Sequence, residues 1–462
     1  MTSTDTSLKR AMGVPSLVVF GLAYMVPLAV FTTYGLVAVT TNGHVPTAYL
    51  VTLIAMLVTA FSYAALVPVF PRAGSAYTYA RKAFGGHVGF LTGWALMLDY
   101  LLLPLINYVL IGIYLHAQVP GIPPWIFALV AVVVITGLTV VGISVLRNAN
   151  LVLVGLQLLF AAVFLFCAIG YAVQHPTASL LQPLYDAGLT FPGLLAGGAI
   201  LALSFLGFDA ISTMSEEARD PGRTVPRAII LTTIIGGLIF TAIAYASALV
   251  IPSVADIADP DAAANQIMDV AAGKWLEIFF LVAYISGCFA AALAAQASVA
   301  RILFAMGRDG VLPRRLFGSI SRRWRTPVGA ALFVGVVSLA ALVADLNTVA
   351  SMISFGALAA FSLVNLAVIK HFLIDERRRG GSALLRFGVL PGLGFLFTAW
   401  LWLSLSGVAL VAGLVWVALG AVWLAVITRG FRRQPPEVEF DDVDADSGTV
   451  TVSEVREPGV RA

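Results

Sequence analysis

About twelve stretches of this chain are long and apolar enough to cross a bilayer, each crossing needing roughly 20 residues. They lie near residues 17–39, 48–69, 88–115, 124–142 and 151–173, then 193–214, 228–251, 276–305, 327–343 and 348–372. The last two, near 387–405 and 408–427, are separated only by Ser406 and Gly407. Hydrophobic residues make up 60% of the 462 residues and charged residues 11%, against about 25% charged in soluble domains. Such a chain could not cover its own surface in water. The composition excludes a soluble enzyme, a nucleic-acid binder, a disulfide scaffold and a disordered chain, and a net charge of +3 gives no reason to expect a nucleic-acid partner. The partner implied throughout is the lipid bilayer, and nothing in the sequence fixes an oligomeric state.

Orientation follows from Lys and Arg, which accumulate on the cytoplasmic side. With both termini cytoplasmic, every Lys and Arg except Lys274 falls inside. The expected organisation is a cytoplasmic segment at 1–15, a transmembrane domain at 16–430, and an acidic, disordered cytoplasmic tail at 431–462. Residues 1–7 are polar and carry no signal-peptide core, so the expected location is the inner (plasma) membrane.

Two spans carry interruptions in matching places. Span one reads Gly21-Leu22-Ala23-Tyr24-Met25-Val26-Pro27, and a proline has no N–H and clashes with the carbonyl four residues back. Span six reads Ser204-Phe205-Leu206-Gly207-Phe208-Asp209, a glycine followed by an ionisable group in mid-span. Taken singly, these are an ordinary proline kink and a tolerated glycine. Taken together, five spans apart, they fit a carrier built from two inverted repeats, with the substrate site between the broken helices. The expected fold is all-α, with repeats at about 16–175 and 190–373 and two extra helices at about 386–428.

An ionisable residue inside the bilayer costs at least ~2.5–3.5 kcal/mol at a helix centre, so each one is a functional candidate. Asp99 lies mid-way along span three, followed by Tyr100. Pro104 frees the Tyr100 carbonyl, and Asn107 falls on the same helical face as Tyr100. Asp209 stands at the span-six break, either as an N-cap of the following half-helix or as a cation partner. Glu216 and Glu217 near the end of that span are candidates for gating or coupling. No lysine lies in the interior of a span, Lys370 standing at the very end of the tenth, and Gln157 is the polar residue of span five. Cys167, Cys288 and the five histidines show no metal-ligand spacing, so neither a metal nor another cofactor is expected. A membrane enzyme or a channel would need a catalytic constellation or a repeated filter, and neither is present.

These motifs resemble the amino acid–polyamine–organocation superfamily, whose fold is the LeuT-like inverted repeat. The resemblance rests on Phe70-Pro71-Arg72-Ala73-Gly74-Ser75-Ala76-Tyr77-Thr78-Tyr79, on Gly207-Phe208-Asp209 through Glu216-Glu217, on Asp220-Pro221 with Arg223 and Pro226, and on Met306-Gly307-Arg308-Asp309. Within it the chain is most similar to bacterial putrescine importers, through Gly43-His44-Val45-Pro46, His87-Val88-Gly89-Phe90, Leu98-Asp99-Tyr100-Leu101, Asp259-Pro260-Asp261-Ala262-Ala263 and Trp324-Arg325-Thr326-Pro327. The resemblance implies proton-coupled uptake of a small diamine. It departs after Val30-Phe31, where those importers carry an aspartate and this chain has Thr32.

The residues themselves favour an amine. A substrate carboxylate needs free backbone N–H groups at a glycine-rich break, and span one offers Tyr24-Met25-Val26-Pro27 instead. An ammonium needs acceptors and aromatic faces. Asp99 and Asp209 supply the first, and Tyr24, Phe31, Tyr34, Tyr100, Phe205 and Phe208 the second, at ~0.5–2 kcal/mol per cation–π contact. The expected function is secondary active import of a putrescine-like polyamine by proton symport, with an amino acid permease as the alternative and sodium as the other coupling ion.

Overall fold

The computed structural model describes residues 12–70, 76–141, 147–176, 179–216, 218–308, 310–321, 323–324 and 326–436. The expectations placed on the acidic tail beyond 436, on the motif residues 71–75, on Asp309 and on Glu217 lie outside them. In chain order the helices are α1 Val14–Met25, α2 Val30–Thr41, α3 Val45–Leu66, α4 Ala76–Phe84, α5 Gly86–Gln118, α6 Pro124–Val141, α7 Arg147–Gln174, α8 Phe191–Leu201 and α9 Pro221–Val250. They continue as α10 Ala263–Ala272, α11 Lys274–Arg308, α12 Arg314–Phe317, α13 Val328–Ser338, α14 Leu346–Val368, α15 Gly381–Leu384, α16 Leu390–Leu403 and α17 Gly407–Ile427.

Eleven segments among the described residues are long and apolar enough to span a membrane. The twelfth stretch forms the shorter apolar helix Val328–Leu342. The protein is an all-α, multi-pass integral membrane protein. The joint at Ser406 and Gly407 is a true helix start, because the Ser406 hydroxyl accepts the Ala409 N–H at 3.3 Å and so caps α17.

The helices fall into two series of the same order. Each opens with a broken span, continues through a long helix and a short amphipathic one, and then makes its longest helix. In the first series these are α1/α2, α3, α4 and α5; in the second, the α8 span, α9, α10 and α11. The short helices have 9 and 10 residues and the longest 33 and 35. The packing repeats as well: α1 lies on α9 as α8 lies on α3, and α4 lies on α14 as α10 lies on α7. Spans one and six run in opposite directions. Met12, before α1, pairs with Ala218, beyond span six, while Asn42, at the end of α2, packs on Gly188, just before α8. The short helices α4 and α10 were not anticipated, being too short and too polar on one face to register as spans.

Around this pair stands a scaffold tied by one fully satisfied polar side chain. The Tyr108 hydroxyl donates to Gln296 Oε1, and Gln296 Nε2 donates to Thr136 Oγ1 at 2.9 Å and to the Ala331 carbonyl at 3.3 Å. This links α5, α11, α6 and α13, and in lipid an unpaired amide would be costly.

Candidate functional site

The first break is sharp. Helix α1 stops at Met25, and Val26 takes φ 50° and ψ 95°, a strained conformation for a β-branched residue. Pro27 follows without an N–H, Pro27–Ala29 makes one 3-10 turn, and the Ala29 N–H bonds back to the Val26 carbonyl at 2.8 Å. The second break is more gradual. Helix α8 tightens to a 3-10 turn over Ala202–Phe205, Leu206 is extended, and Gly207 takes φ +126°. A 3-10 segment, Ala210–Glu216, carries the chain onward. A Cβ on Gly207 would lie 2.9 Å from Tyr24 Cδ1 and 3.0 Å from the Met25 nitrogen. The two breaks therefore face each other, and glycine is required there both by its φ and by the close approach.

Between them lies a cavity walled by Tyr24, Asp99, Tyr100, Leu103, Leu206, Asp209 and Ala210. It has about 20 Å³ of room for water centres, where one water needs at least ~10–15 Å³. A diamine would need the walls to move apart. Helix α14 packs tightly on α5 beside Asp99: a Cβ at Gly356 would lie 2.5 Å from the Ala95 carbonyl and 3.4 Å from the Asp99 nitrogen. Asp99 is 6% exposed, whereas Tyr24 retains 42%. No cation stands among the lining residues.

Asp209 is held by the backbone of the break itself. Its Oδ1 accepts the Gly207 N–H at 3.1 Å, and the Ala210 N–H is directed at the same carboxylate. It thus occupies the donors that a break in a helix exposes to an anion. An ionised carboxylate has about four lone-pair positions, so it can also face the cavity and accept from a cation.

The other expected residues are elsewhere. Phe31 does not face the cavity; its ring is boxed by Phe160, Phe164 and Phe280 at 6.3, 5.2 and 5.3 Å between centroids. Thr32 bonds the Tyr284 hydroxyl at 2.7 Å, on the far side of the break from Asp99. Phe205 packs on Tyr49 and Phe240, and Phe208 on Tyr63 and Phe361, all buried. The Asn107 amide donates to the Leu103 carbonyl at 2.7 Å, one turn back, and does not line the cavity. Gln157 is buried beside Gly287 of α11 with its Oε1 unpartnered, and it too stands away from the cavity. Glu216 closes the 3-10 segment after the second break. The sequence reading missed Tyr63, which packs against Phe208, and Tyr114, whose hydroxyl donates to the Phe31 carbonyl at 2.8 Å. A tyrosine within an apolar span gives no sequence signal to separate it from ordinary core.

Comparison with known proteins bears on the same chain length. A family described as amino acid permease matches residues 16–432. A low-affinity putrescine importer of Escherichia coli (strain K12) is 41% identical over 441 residues, covering 95% of this chain and 98% of the relative. A branched-chain amino acid permease of Bacillus subtilis (strain 168) is 29% identical over 445 residues, covering 91% and 93%. A methylthioribose transporter of the same organism is 27% identical over 444 residues, covering 91% and 94%.

Proposed function

The chain belongs to the amino acid permease family, a family of transporters rather than enzymes, and from that premise we propose that it imports a small, putrescine-like amine. The observation that carries this reading is the charge on the cavity wall: two carboxylates, two phenols and no cation. A zwitterionic amino acid would bring a third carboxylate into that space. At about 4 Å and an effective dielectric constant of ~20, each like-charge contact costs about 4 kcal/mol. Backbone donors that could offset this are reduced, since Asp209 holds the Gly207 N–H at the second break and Pro27 removes one from the first. An ammonium meets the opposite situation, with carboxylate acceptors and the faces of Tyr24 and Tyr100. The identity to a putrescine importer supports the same choice.

Two carboxylates in one cavity can divide the work of coupling. One pairs with the ammonium while the other is available to a proton, which supports proton symport. The charge partition supports cytoplasmic termini, and Lys274 then begins α11 at the outer surface. Purified protein in liposomes tests the reading. Saturable putrescine uptake driven by an inward pH gradient, and not by sodium, is expected. Uptake of a neutral amino acid that ignores excess putrescine would overturn it.

A further inference from the structure

Buried tyrosine hydroxyls in this protein are generally partnered. Tyr49 meets Ser204 at 3.1 Å, Tyr114 the Phe31 carbonyl at 2.8 Å, Tyr284 meets Thr32 at 2.7 Å, and Tyr108 meets Gln296. Tyr63 and its neighbour Tyr79 are the exceptions. The Tyr79 hydroxyl still has the Ser212 side chain beside it. The Tyr63 side chain is 0% exposed, and its hydroxyl has no hydrogen-bond partner among the described residues. The ring cannot swing away to find one. Tyr79, Phe208 and Phe361 hold it edge-on at centroid distances of 5.7, 5.7 and 6.0 Å. Phe208, one of these three, stands directly before Asp209, a residue of the cavity wall. An unpaired phenol at this depth costs free energy that phenylalanine, of the same shape, would not. Such a group in a native core calls for a ligand or an alternative arrangement in which it is paired.

We propose that Tyr63 is a specificity-determining residue whose hydroxyl accepts a hydrogen bond from an ammonium end of the substrate once the cavity widens to admit it. The hydroxyl proton then points to Asp209, so that carboxylate, phenol and ammonium form one connected set. This rests on the amine reading of the Asp99–Asp209 cavity and adds to it a preference. A diamine presents an ammonium to each half of the site. A monoamine of the same length presents a methyl group to one half and leaves the phenol unpaired. The expected substrate class is a short primary diamine rather than an alkylamine.

The test compares putrescine with butylamine on detergent-purified full-length protein, by competition binding and thermal unfolding. Tyr63→Phe should leave the unliganded Tm unchanged or raised. It should weaken putrescine about 3–10-fold while leaving butylamine unchanged, so that the preference for the diamine narrows by that factor. Tyr79→Phe should leave the ratio alone. A lowered Tm for Tyr63→Phe, or an unchanged putrescine-to-butylamine ratio, overturns the proposal. Asp209→Asn separates the two levels of inference. Loss of both amines with Asp209→Asn, but an unchanged ratio with Tyr63→Phe, removes the role of Tyr63 and leaves the amine site standing. Normal putrescine binding by Asp209→Asn removes the amine site itself.

Discussion

Before the break in span one, Tyr24 looks across a small cavity at two carboxylates; after it, Phe31 is boxed in by Phe160, Phe164 and Phe280. The two regions share a few residues of backbone and little else. The cavity holds acidic groups in excess. The aromatic cluster is closed, and its hydroxyls at Thr32, Tyr114 and Tyr284 are all satisfied. Over it lies the loop at 259–263, with Pro260 and Ala263 pressed against Gly35 of α2. The contrast separates a place able to receive a cation from a plug that holds the helices together. Residues that the sequence grouped as one site divide between the two.

The largest expected effect probes the plug. Phe280 stacks on Tyr284 and meets Phe31, Phe160 and Tyr114. Phe280→Ala should cost about 3–5 kcal/mol of stability, read as a lowered Tm in detergent, with the ranking of amines unchanged. A changed substrate preference would break the comparison. Next comes Asp99→Asn in the cavity. Hydrogen bonds to ionised groups contribute ~1.5–3 kcal/mol, so putrescine affinity should fall roughly 10–150-fold while Tm is held or raised. If instead stability collapses and affinity survives, Asp99 belongs to the fold and not to the site.

Thr32→Val sharpens the same contrast at smaller scale. It removes the bond to Tyr284 and should cost ~0.5–1.5 kcal/mol of stability, read as a lowered Tm, with no change in the KM for putrescine. A raised KM would bring Thr32 back into the site. The smallest effect concerns the covering loop. Burial, and then the charges of Asp259 and Asp345, push the Asp261 carboxyl above its ordinary value. The folded state therefore holds that proton more tightly than the unfolded chain, and the group's contribution to stability improves as pH falls through the acid range. Asp261→Asn should flatten that part of the Tm–pH profile; an unaltered profile would remove the loop's charges from the energetics of closure.

The sequence by itself determined what local chemistry can determine. Span lengths follow from runs of apolar residues, the first break from a proline that cannot continue a helix, the second from a glycine beside Asp209. Asp99 was legible because an acid in an apolar span has no structural excuse. Tertiary structure decided which way the other side chains face. Tyr24 and Phe31 are seven residues apart, two turns of helix, and would share one face if span one were continuous. The left-handed Val26 and the 3-10 turn after it redirect the second half, so Tyr24 meets Asp209 while Phe31 turns to α7 and α11. Tyr100 and Asn107 have the same spacing on an unbroken helix, yet two turns are about 10 Å of rise, more than this small cavity spans. A break is visible in sequence, but the rotation it introduces is set by everything packed around it.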